Sequence, residues 1–318
     1  MLTNQKKSQS NLELQQTKFK LVDNIETENL KNALHRDSFV PGNITKIYYD
    51  ISAFDLRSEA ASYLINHGFC SQPLPLESLH LRVPMAEQLP SKNGMSALTT
   101  ELADLHQPFI AAYHKLVKYI AQEVLGFDVV FESSPPLRFH FPVPLPDRFK
   151  SSRGNHLTHH TDTLFGDYFE QINCWLPLTD CYGSSGLQMT SFLESILILD
   201  KFAETLGYDF AAFRNSRQQF FDLFNTDEAL QDILLQNCTG INSKFGEVIM
   251  FDPRVIHGTA ENIEGITRVS IDFRLLPLNA YNAIIKSFPA DSTLPYLTIE
   301  GEPAVRGCFY HEKSAFEL

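Results

Sequence analysis

The chain has little of what builds a disulfide framework or a membrane span. Its 318 residues include five cysteines, an odd number without a Cys-x-x-Cys pair, which predicts reduced thiols in the cytoplasm and neither disulfides nor a zinc site. No apolar run reaches the length of about eighteen residues that a membrane-spanning helix needs, so we expect no membrane partner. The first residues also lack the apolar stretch of a secretory signal.

Positive charge is also scarce. The chain carries 26 Lys and Arg against 38 Asp and Glu, a formal net charge of −12. Because affinity for nucleic acid comes largely from Lys and Arg that neutralise phosphates, and no basic stripe occurs, we exclude a nucleic-acid partner. A hydrophobic share of 43% with 20% charged residues is typical of a globular protein.

The pattern of apolar residues changes from helical to β-rich along the chain. In the segment 98–125, apolar residues recur every three or four positions, which predicts a helix that Pro108 begins or kinks and Gly126 ends. Shorter helices are predicted at 28–33 and 58–66. We expect a mobile segment 1–17 and one domain 18–318, made of helical support 18–128, a core 129–280 and a tail 281–318.

The core consists of short β-rich runs separated by Pro and Gly. The runs that we interpret as strands are 137–141, 171–177, 186–190, 247–251 and 268–275. Short strands of this kind predict an α+β protein whose core is an antiparallel double-stranded β-helix, a cupin-like jelly roll that can hold a metal between its two sheets.

A helical segment interrupts these strands at 192–240. It lies between the candidate metal ligands in sequence, so one interpretation is an insert that covers the mouth of the site. The other is a group of helices that packs on the outside of the barrel. The sequence leaves both open.

Three residues have the spacing of a metal site. In an extended strand His160 and Asp162 point the same way while Thr161 points away, and His257 follows another predicted strand and an Asp-Pro turn. Two His and one carboxylate form the facial triad that binds Fe(II) and leaves positions open for co-substrate and O2. Of the neighbouring histidines, His159 should point to the opposite face.

A second group of polar residues follows His257. Arg268 and Ser270 lie two residues apart on a predicted strand and share a face. A guanidinium with a neighbouring hydroxyl suits the far carboxylate of a dicarboxylate. Arg274 shares that face and is a candidate for an anionic substrate, although Asp272 between them could equally neutralise it.

These motifs resemble those of Fe(II)/2-oxoglutarate-dependent dioxygenases, with His160-x-Asp162 and His257 for iron and Arg268-x-Ser270 for the co-substrate. The chain is further similar to the streptomycin-biosynthesis-type branch related to phytanoyl-CoA hydroxylase. The matching stretches are LRFHFP (137–142), INCWLPLTD (172–180) and RVSIDFR (268–274). Together they cover roughly residues 135–280, and among product-forming groups the chain is similar to kainoid synthases, the oxidative cyclases of algal amino-acid metabolism.

The resemblance implies an enzyme that uses Fe(II), 2-oxoglutarate and O2 and releases succinate and CO2. Halogenases of this superfamily replace the metal-binding carboxylate with a small residue, so Asp162 favours hydroxylation, desaturation or oxidative ring closure. We expect a small, carboxylated, amino-acid-derived substrate. Its candidate contacts are Arg138, Asn173, Gln188 and Arg274.

Two other classes of function are compatible with the same sequence. One is a protein or peptide hydroxylase of the same superfamily, whose docking module would lie in the first 130 residues. The other is a jelly-roll binding protein without catalysis, which the presence of all three candidate ligands and the Arg-x-Ser pair disfavours. The sequence does not determine the oligomeric state.

Overall fold

The computed structural model describes residues 29–90, 96–101, 105–144, 156–285 and 296–299. Its strands are β1 (Ile44–Tyr48), β2 (Val129–Glu132), β3 (Leu137–His140), β4 (His156–His160), β5 (Ile172–Pro177), β6 (Gln188–Met189), β7 (Thr239–Gly240), β8 (Glu247–Phe251), β9 (His257–Ala260), β10 (Arg268–Pro277) and β11 (Tyr296–Thr298). The predicted strands of the core are all present, and no bound differs by more than two residues.

The strands form two antiparallel sheets. Within the described residues, the large sheet has seven strands in the order β1-β8-β5-β10-β2-β11, with β3 paired to β10, and the small sheet has the order β4-β9-β6-β7. The long strand β10 pairs with β2, β3 and β5. This arrangement is the predicted α+β fold with a double-stranded β-helix core.

Helices flank the sheets. The α-helices are α1 (Leu30–His35), α2 (Leu56–Asn66), α3 (Met85–Gln88), α4 (Ala97–Glu101), α5 (Gln107–Tyr119), α6 (Phe192–Thr205), α7 (Phe210–Arg214), α8 (Arg217–Thr226), α9 (Glu228–Asn237) and α10 (Leu278–Ile285). Short 3-10 helices cover Leu76–Leu81, Asp162–Phe165 and Gly183–Ser185, and a π-helix covers Ile120–Leu125.

Local sequence explains where the main helices begin and end. Pro108 lies in the first turn of α5, a position where its missing N–H removes no intrahelical bond, so it begins the helix. Gly126 ends the following π-helix at φ 74°, a left-handed conformation that glycine adopts without steric cost. Ser191 and Glu194 form a reciprocal capping box at the start of α6, which satisfies two otherwise free backbone donors.

The large sheet has an apolar face and a polar face because its side chains alternate. Val269, Ile271 and Phe273 point to one side, where they join the main hydrophobic core with α2, α5 and the π-helix. Residues 268, 270, 272 and 274 point to the other side, toward the small sheet. The polar residues of β10 are therefore enclosed between the two sheets.

The helices of the 192–240 segment pack against the outside of the small sheet. Buried residues from α6, α7, α8 and α9 form one cluster with residues of α1 and with Leu164, Phe169 and Ile256 from the small-sheet side. Phe202, Phe213 and Phe220 of that cluster are at most 3% exposed. Of the two interpretations of this segment, these contacts support the packing role.

A buried ion pair fixes the turn that leads into β9. Arg254 is fully buried and donates from Nε and Nη2 to the two carboxylate oxygens of Asp252, both at 2.7 Å. Its Nη1 donates to the carbonyl oxygens of Ala33, Leu34 and Arg36. Since helix ends leave carbonyls without intrahelical partners, one guanidinium both closes the turn and caps α1.

Three further expectations from the sequence concern the cysteines, membrane helices and the domain boundaries. Cys70, Cys174, Cys181 and Cys238 are free and buried, and Cys308 lies outside the described residues. In the described part of the chain no helix is both long and apolar enough to cross a membrane. The segments 1–17 and 145–155 and most of the tail 281–318 lie outside the described residues, and the domain boundaries stay a prediction.

Replacing Arg254 with alanine should lower the free energy of unfolding by about 3–5 kcal/mol, because Asp252 would keep a buried charge without its partner. Urea or guanidinium denaturation of the two proteins measures the difference. Arg57→Ala is the matched control, since its pair with Glu77 is about a quarter exposed on both sides and should contribute at most about 1 kcal/mol. Equal losses in both variants would contradict the anchoring role of Arg254.

Candidate active site

Three elements at one end of the small sheet bring the candidate ligands together. His160 is the last residue of β4, and His257 is the first residue of β9 directly opposite it. Asp162 differs from the sequence expectation, because β4 has ended and Asp162 begins the 3-10 turn Asp162–Phe165. Its backbone N–H donates to the Pro253 carbonyl oxygen, so the turn before β9 also fixes this residue.

The ligand atoms of these residues are close enough to share one ion. Nε2 of His160 and Nε2 of His257 each lie 3.6 Å from Oδ1 of Asp162, and one ligand atom from each of the three residues lies within 4.8 Å of the others. Two ligand atoms that share a transition-metal ion at about 2.1 Å can be at most about 4.2 Å apart. The site therefore fits a metal after small side-chain adjustments.

Hydrogen bonding prepares His257 for a metal. Its Nδ1 lies 3.0 Å from the Val255 carbonyl oxygen, which can only accept, so Nδ1 carries a proton and Nε2 is the ring nitrogen left to face a metal. This is the usual arrangement of metal-binding histidines, in which the second ring nitrogen donates to the protein.

Asp162 is held by a cation from the large sheet. Its Oδ2 accepts from Nε and Nη2 of Arg274 at 3.1 and 3.0 Å, while Oδ1 faces the two histidines. Burial by itself would raise the pKa of the Asp162 carboxyl, but the charges of Arg274, His257 and His160 together lower it below the ordinary value. The carboxylate is therefore ionised at neutral pH, as a metal ligand must be.

Arg274 itself lies among carboxylates. Asp162, Asp272, Glu132 and Asp167 all have an oxygen within 4 Å of its guanidinium. Burial opposes its charge, but these carboxylates raise the pKa of Arg274 well above its ordinary value. The pairing with Asp272 corresponds to the neutralising alternative, and a contact between Arg274 and substrate stays a prediction.

Arg268 has the features of an anion site. It is 4% exposed, its Nη1 donates to the carbonyl oxygens of Ser185 and Gly186, and its Nε has no hydrogen-bond partner. Among the described residues no carboxylate lies within 4 Å of it. The buried Oγ of Ser270 is likewise unpartnered. Buried polar groups without partners are rare, so the pair fits a bound carboxylate.

The charge of Arg268 is costly in this environment. Burial lowers the pKa of its guanidinium to about 10, so Arg268 is still a cation at neutral pH. A buried charge needs a counter-charge or hydrogen bonds to all its donors. Its hydrogen bonds in the described structure go to carbonyl oxygens and its Nε makes none, so an anionic ligand would complete its contacts.

Arg268 donates to a turn in which the backbone of Gly186 lies very close to the backbone of Ile241. A side-chain carbon added at Gly186 would lie 2.5 Å from the Ile241 carbonyl oxygen, so only glycine fits there. Gln188 donates from Nε2 to the carbonyl oxygens of Gly183 and Gly186. The predicted substrate residue Gln188 thus supports this turn, and a contact with substrate stays a prediction.

Arg138 and His140 lie on β3 and face the same interior. Arg138 is opposite Ser270 and His140 is opposite Arg268, and directly opposite residues share a face. Arg138 pairs with both carboxylate oxygens of Asp272, and its side chain is 29% exposed. Burial, followed by the charge of Arg268, lowers the pKa of His140 well below its usual range, so its ring is neutral.

Asn173 and Trp175 complete the polar face of the large sheet. Asn173 is opposite Arg274 on the neighbouring strand, and Trp175 is opposite Asp272. Oδ1 of Asn173 accepts from Gln171, while its buried Nδ2 has no hydrogen-bond partner. The ring of Trp175 lies 5.9 Å from the Arg268 guanidinium carbon. Asn173 therefore offers a free donor to the interior.

Sequence reasoning missed two features of the site. His140 was not singled out, although strict alternation along LRFHFP places it on the same face as Arg138. The contact between Arg274 and Asp162 was also missed, since it joins two sheets. His159 behaves as predicted, because it packs near Phe224 of α8, away from His160.

Comparisons with known proteins describe this chain only at the level of overall shape. No family model matches it, and no curated protein matches it. Among solved structures it is similar to AviO1 from Streptomyces viridochromogenes Tue57, at 13% identity over 77% of this chain and 93% of that chain with a TM-score of 0.40. At such values the similarity assigns no function.

Two further solved structures are similar to the same degree. One is EctD from S. alaskensis with 2-oxoglutarate and 5-hydroxyectoine, at 12% identity over 77% of this chain and 75% of that chain with a TM-score of 0.42. The other is the non-heme alpha ketoglutarate dependent carbocyclase SnoK from nogalamycin biosynthesis, at 10% identity over 80% and 85% with a TM-score of 0.38. These similarities likewise assign no function to this chain.

Alanine in place of His160, Asp162 or His257 should abolish binding of Fe(II), because two remaining ligands hold the ion too weakly. Anaerobic titration with Fe(II), or with Co(II) as a spectroscopic substitute, measures this. His159→Ala is the matched control and should keep metal affinity, since His159 faces the helices. Tight metal binding by any one of the three variants would remove that residue from the ligand set.

Proposed function

We propose that the protein is a non-haem Fe(II)/2-oxoglutarate-dependent oxygenase that oxidises a small carboxylated metabolite. The observation that carries the proposal is one interior with two complementary features: a His-Asp-His cluster within 4.8 Å and a buried arginine without a carboxylate partner among the described residues. The first suits a divalent metal and the second suits a dicarboxylate. Oxidation that depends on 2-oxoglutarate needs both.

The protein's own residues would bind, orient and shield the reactants. His160, Asp162 and His257 would hold one face of the metal, and the remaining positions would be free for the co-substrate and O2. Iron with 2-oxoglutarate and O2 supplies an oxidant that removes hydrogen from carbon, with succinate and CO2 as co-products. The position of these residues between two sheets would limit their contact with bulk water.

The co-substrate would lie between the metal cluster and Arg268. Its far carboxylate would accept from the unpartnered Nε of Arg268 and from the Oγ of Ser270, and would supply the counter-charge that the buried guanidinium lacks. Hydrogen bonds to charged groups contribute about 1.5–3 kcal/mol each. A neutral His140 beside this position adds polarity without adding charge.

The substrate would use the polar groups that remain. The side chain of Arg138 is 29% exposed, more than that of Arg274 or Arg268. Asn173 offers the free Nδ2 donor. A guanidinium and an amide together suit a carboxylate, which supports an amino-acid-derived metabolite. Gln188 and Arg274 remain secondary candidates, since their described contacts already engage both side chains.

The reaction would be hydroxylation, desaturation or oxidative carbon–carbon ring closure. Asp162 fills the position that a halide would need, so chlorination is disfavoured. The resemblance to the streptomycin-biosynthesis-type branch and to kainoid synthases supports a role in specialised metabolism. Free, buried cysteines fit a reducing compartment such as the cytoplasm.

Arg268→Ala should raise the KM for 2-oxoglutarate at least roughly tenfold, because it removes a charge-assisted contact. Ser270→Ala should do the same more weakly. Steady-state kinetics with varied 2-oxoglutarate measures the effect, and anaerobic metal titration serves as the control, since metal affinity should stay near wild type. Loss of metal with unchanged affinity for 2-oxoglutarate would show that the Arg-x-Ser interpretation is wrong.

A screen of amino-acid-derived metabolites in excess chloride tests substrate class and outcome. We expect succinate release coupled to an oxidised product without chlorine, and a higher substrate KM in Arg138→Ala with unchanged 2-oxoglutarate binding. A folded protein or a neutral hydrocarbon as best substrate would contradict the metabolite proposal and favour the peptide-hydroxylase alternative or a different branch. No 2-oxoglutarate turnover with any substrate would favour the binding-protein alternative.

A further inference from the structure

We propose that Arg274 is a positioning residue for the metal: it holds one oxygen of Asp162 so that only the other oxygen can bind the ion. The inference rests on the proposed function and assigns Arg274 a task different from substrate binding. Nε and Nη2 of Arg274 both donate to Oδ2 of Asp162, at 3.1 and 3.0 Å. Oδ1 is the oxygen that lies 3.6 Å from each histidine Nε2.

Asp162 needs such a partner because its own backbone does not lock its carboxylate. It lies in a 3-10 turn beyond the end of β4, and the terminal torsion of an aspartate side chain is broad. The backbone contact to Pro253 fixes where the residue lies but not how the carboxylate is rotated. Two parallel donors on Oδ2 remove that freedom.

Arg274 is suited to the task because it is held independently of Asp162. It lies on β10, opposite Asn173 of β5, and its backbone N–H donates to Oε2 of Glu132. Its Nη1 donates to Oδ2 of Asp272 at 3.0 Å, and Asp272 is paired in turn with Arg138. The guanidinium is therefore fixed by the large sheet before any ion binds.

Binding through one oxygen of Asp162 would leave more positions of the metal open. A carboxylate can bind a cation through one oxygen or through both. If Asp162 bound through both, it would occupy a position that the proposed co-substrate or O2 requires. By occupying Oδ2, Arg274 keeps the carboxylate to one position and leaves the rest of the coordination sphere available.

The test measures metal binding apart from turnover. Wild type, Arg274→Ala and Arg138→Ala are titrated anaerobically with Co(II), recording affinity and the visible spectrum. Outer partners of metal ligands typically change affinity by about 10–100-fold, so we expect a loss of that size and an altered spectrum in Arg274→Ala only. Arg138→Ala is the matched control, because it removes a guanidinium that contacts Asp272 while Arg274 keeps its own bonds to Asp272 and Glu132.

Added guanidinium ion separates positioning from folding. We expect it to restore much of the Co(II) affinity and spectrum of Arg274→Ala and to leave wild type unchanged. If the alanine variant does not fold, Arg274→Lys carries the test, since an ammonium keeps the charge but cannot reproduce the planar fork; it should bind Co(II) more weakly than wild type.

Several outcomes would overturn the inference. The first is a Co(II) affinity of Arg274→Ala or Arg274→Lys equal to that of wild type. The second is an equal loss of Co(II) affinity in Arg274→Ala and Arg138→Ala. The third is a folded Arg274→Ala variant whose Co(II) affinity guanidinium does not restore. If wild type itself binds no divalent metal, the proposed function fails together with this inference. If wild type binds metal and the Arg274 variants bind it equally well, only the inference fails.

Discussion

The ion pair between Arg274 and Asp162 joins the large sheet to the small one, and the chemistry of the interior depends on it. A carboxylate that is 3% exposed stays ionised only with compensating charge, and Arg274 supplies it from β10. The same pair orients Asp162 with respect to His160 and His257. Without it, the carboxylate of Asp162 would be a buried charge with only the two histidines beside it.

Arg268 and Arg274 differ in how many carboxylates surround them. Four carboxylates lie within 4 Å of the Arg274 guanidinium, whereas no carboxylate of the described residues lies that close to Arg268, whose Nε has no hydrogen-bond partner. A fully compensated cation acts as structure, and an uncompensated one attracts an anion. Both lie on β10, so one strand provides the rigid support of the metal site and the proposed anchor of the co-substrate.

Much of the surrounding protein keeps this strand and the facing ligands in register. The apolar side of β10 packs into the main core with α2 and α5, and the helices from α6 to α9 cover the outside of the small sheet. The buried Arg254 ties the turn before His257 to the end of α1. Elements distant in sequence thus fix the positions of a few interior side chains.

The sequence by itself determined the periodic features of this protein. Alternation along 137–141 and 268–275 specified the strands and the residues that share a face, because side chains in a strand have a period of two. Pro108 and Gly126 specified helix ends through their backbone limits. The tertiary structure decided the pairings between elements. Asp162 lies in a turn where Arg274 holds it, and Asp272 neutralises both Arg274 and Arg138. The helices of the 192–240 segment pack outside the small sheet. Those contacts join residues more than a hundred positions apart in several cases, and sequence periodicity describes only how neighbours along one element are oriented.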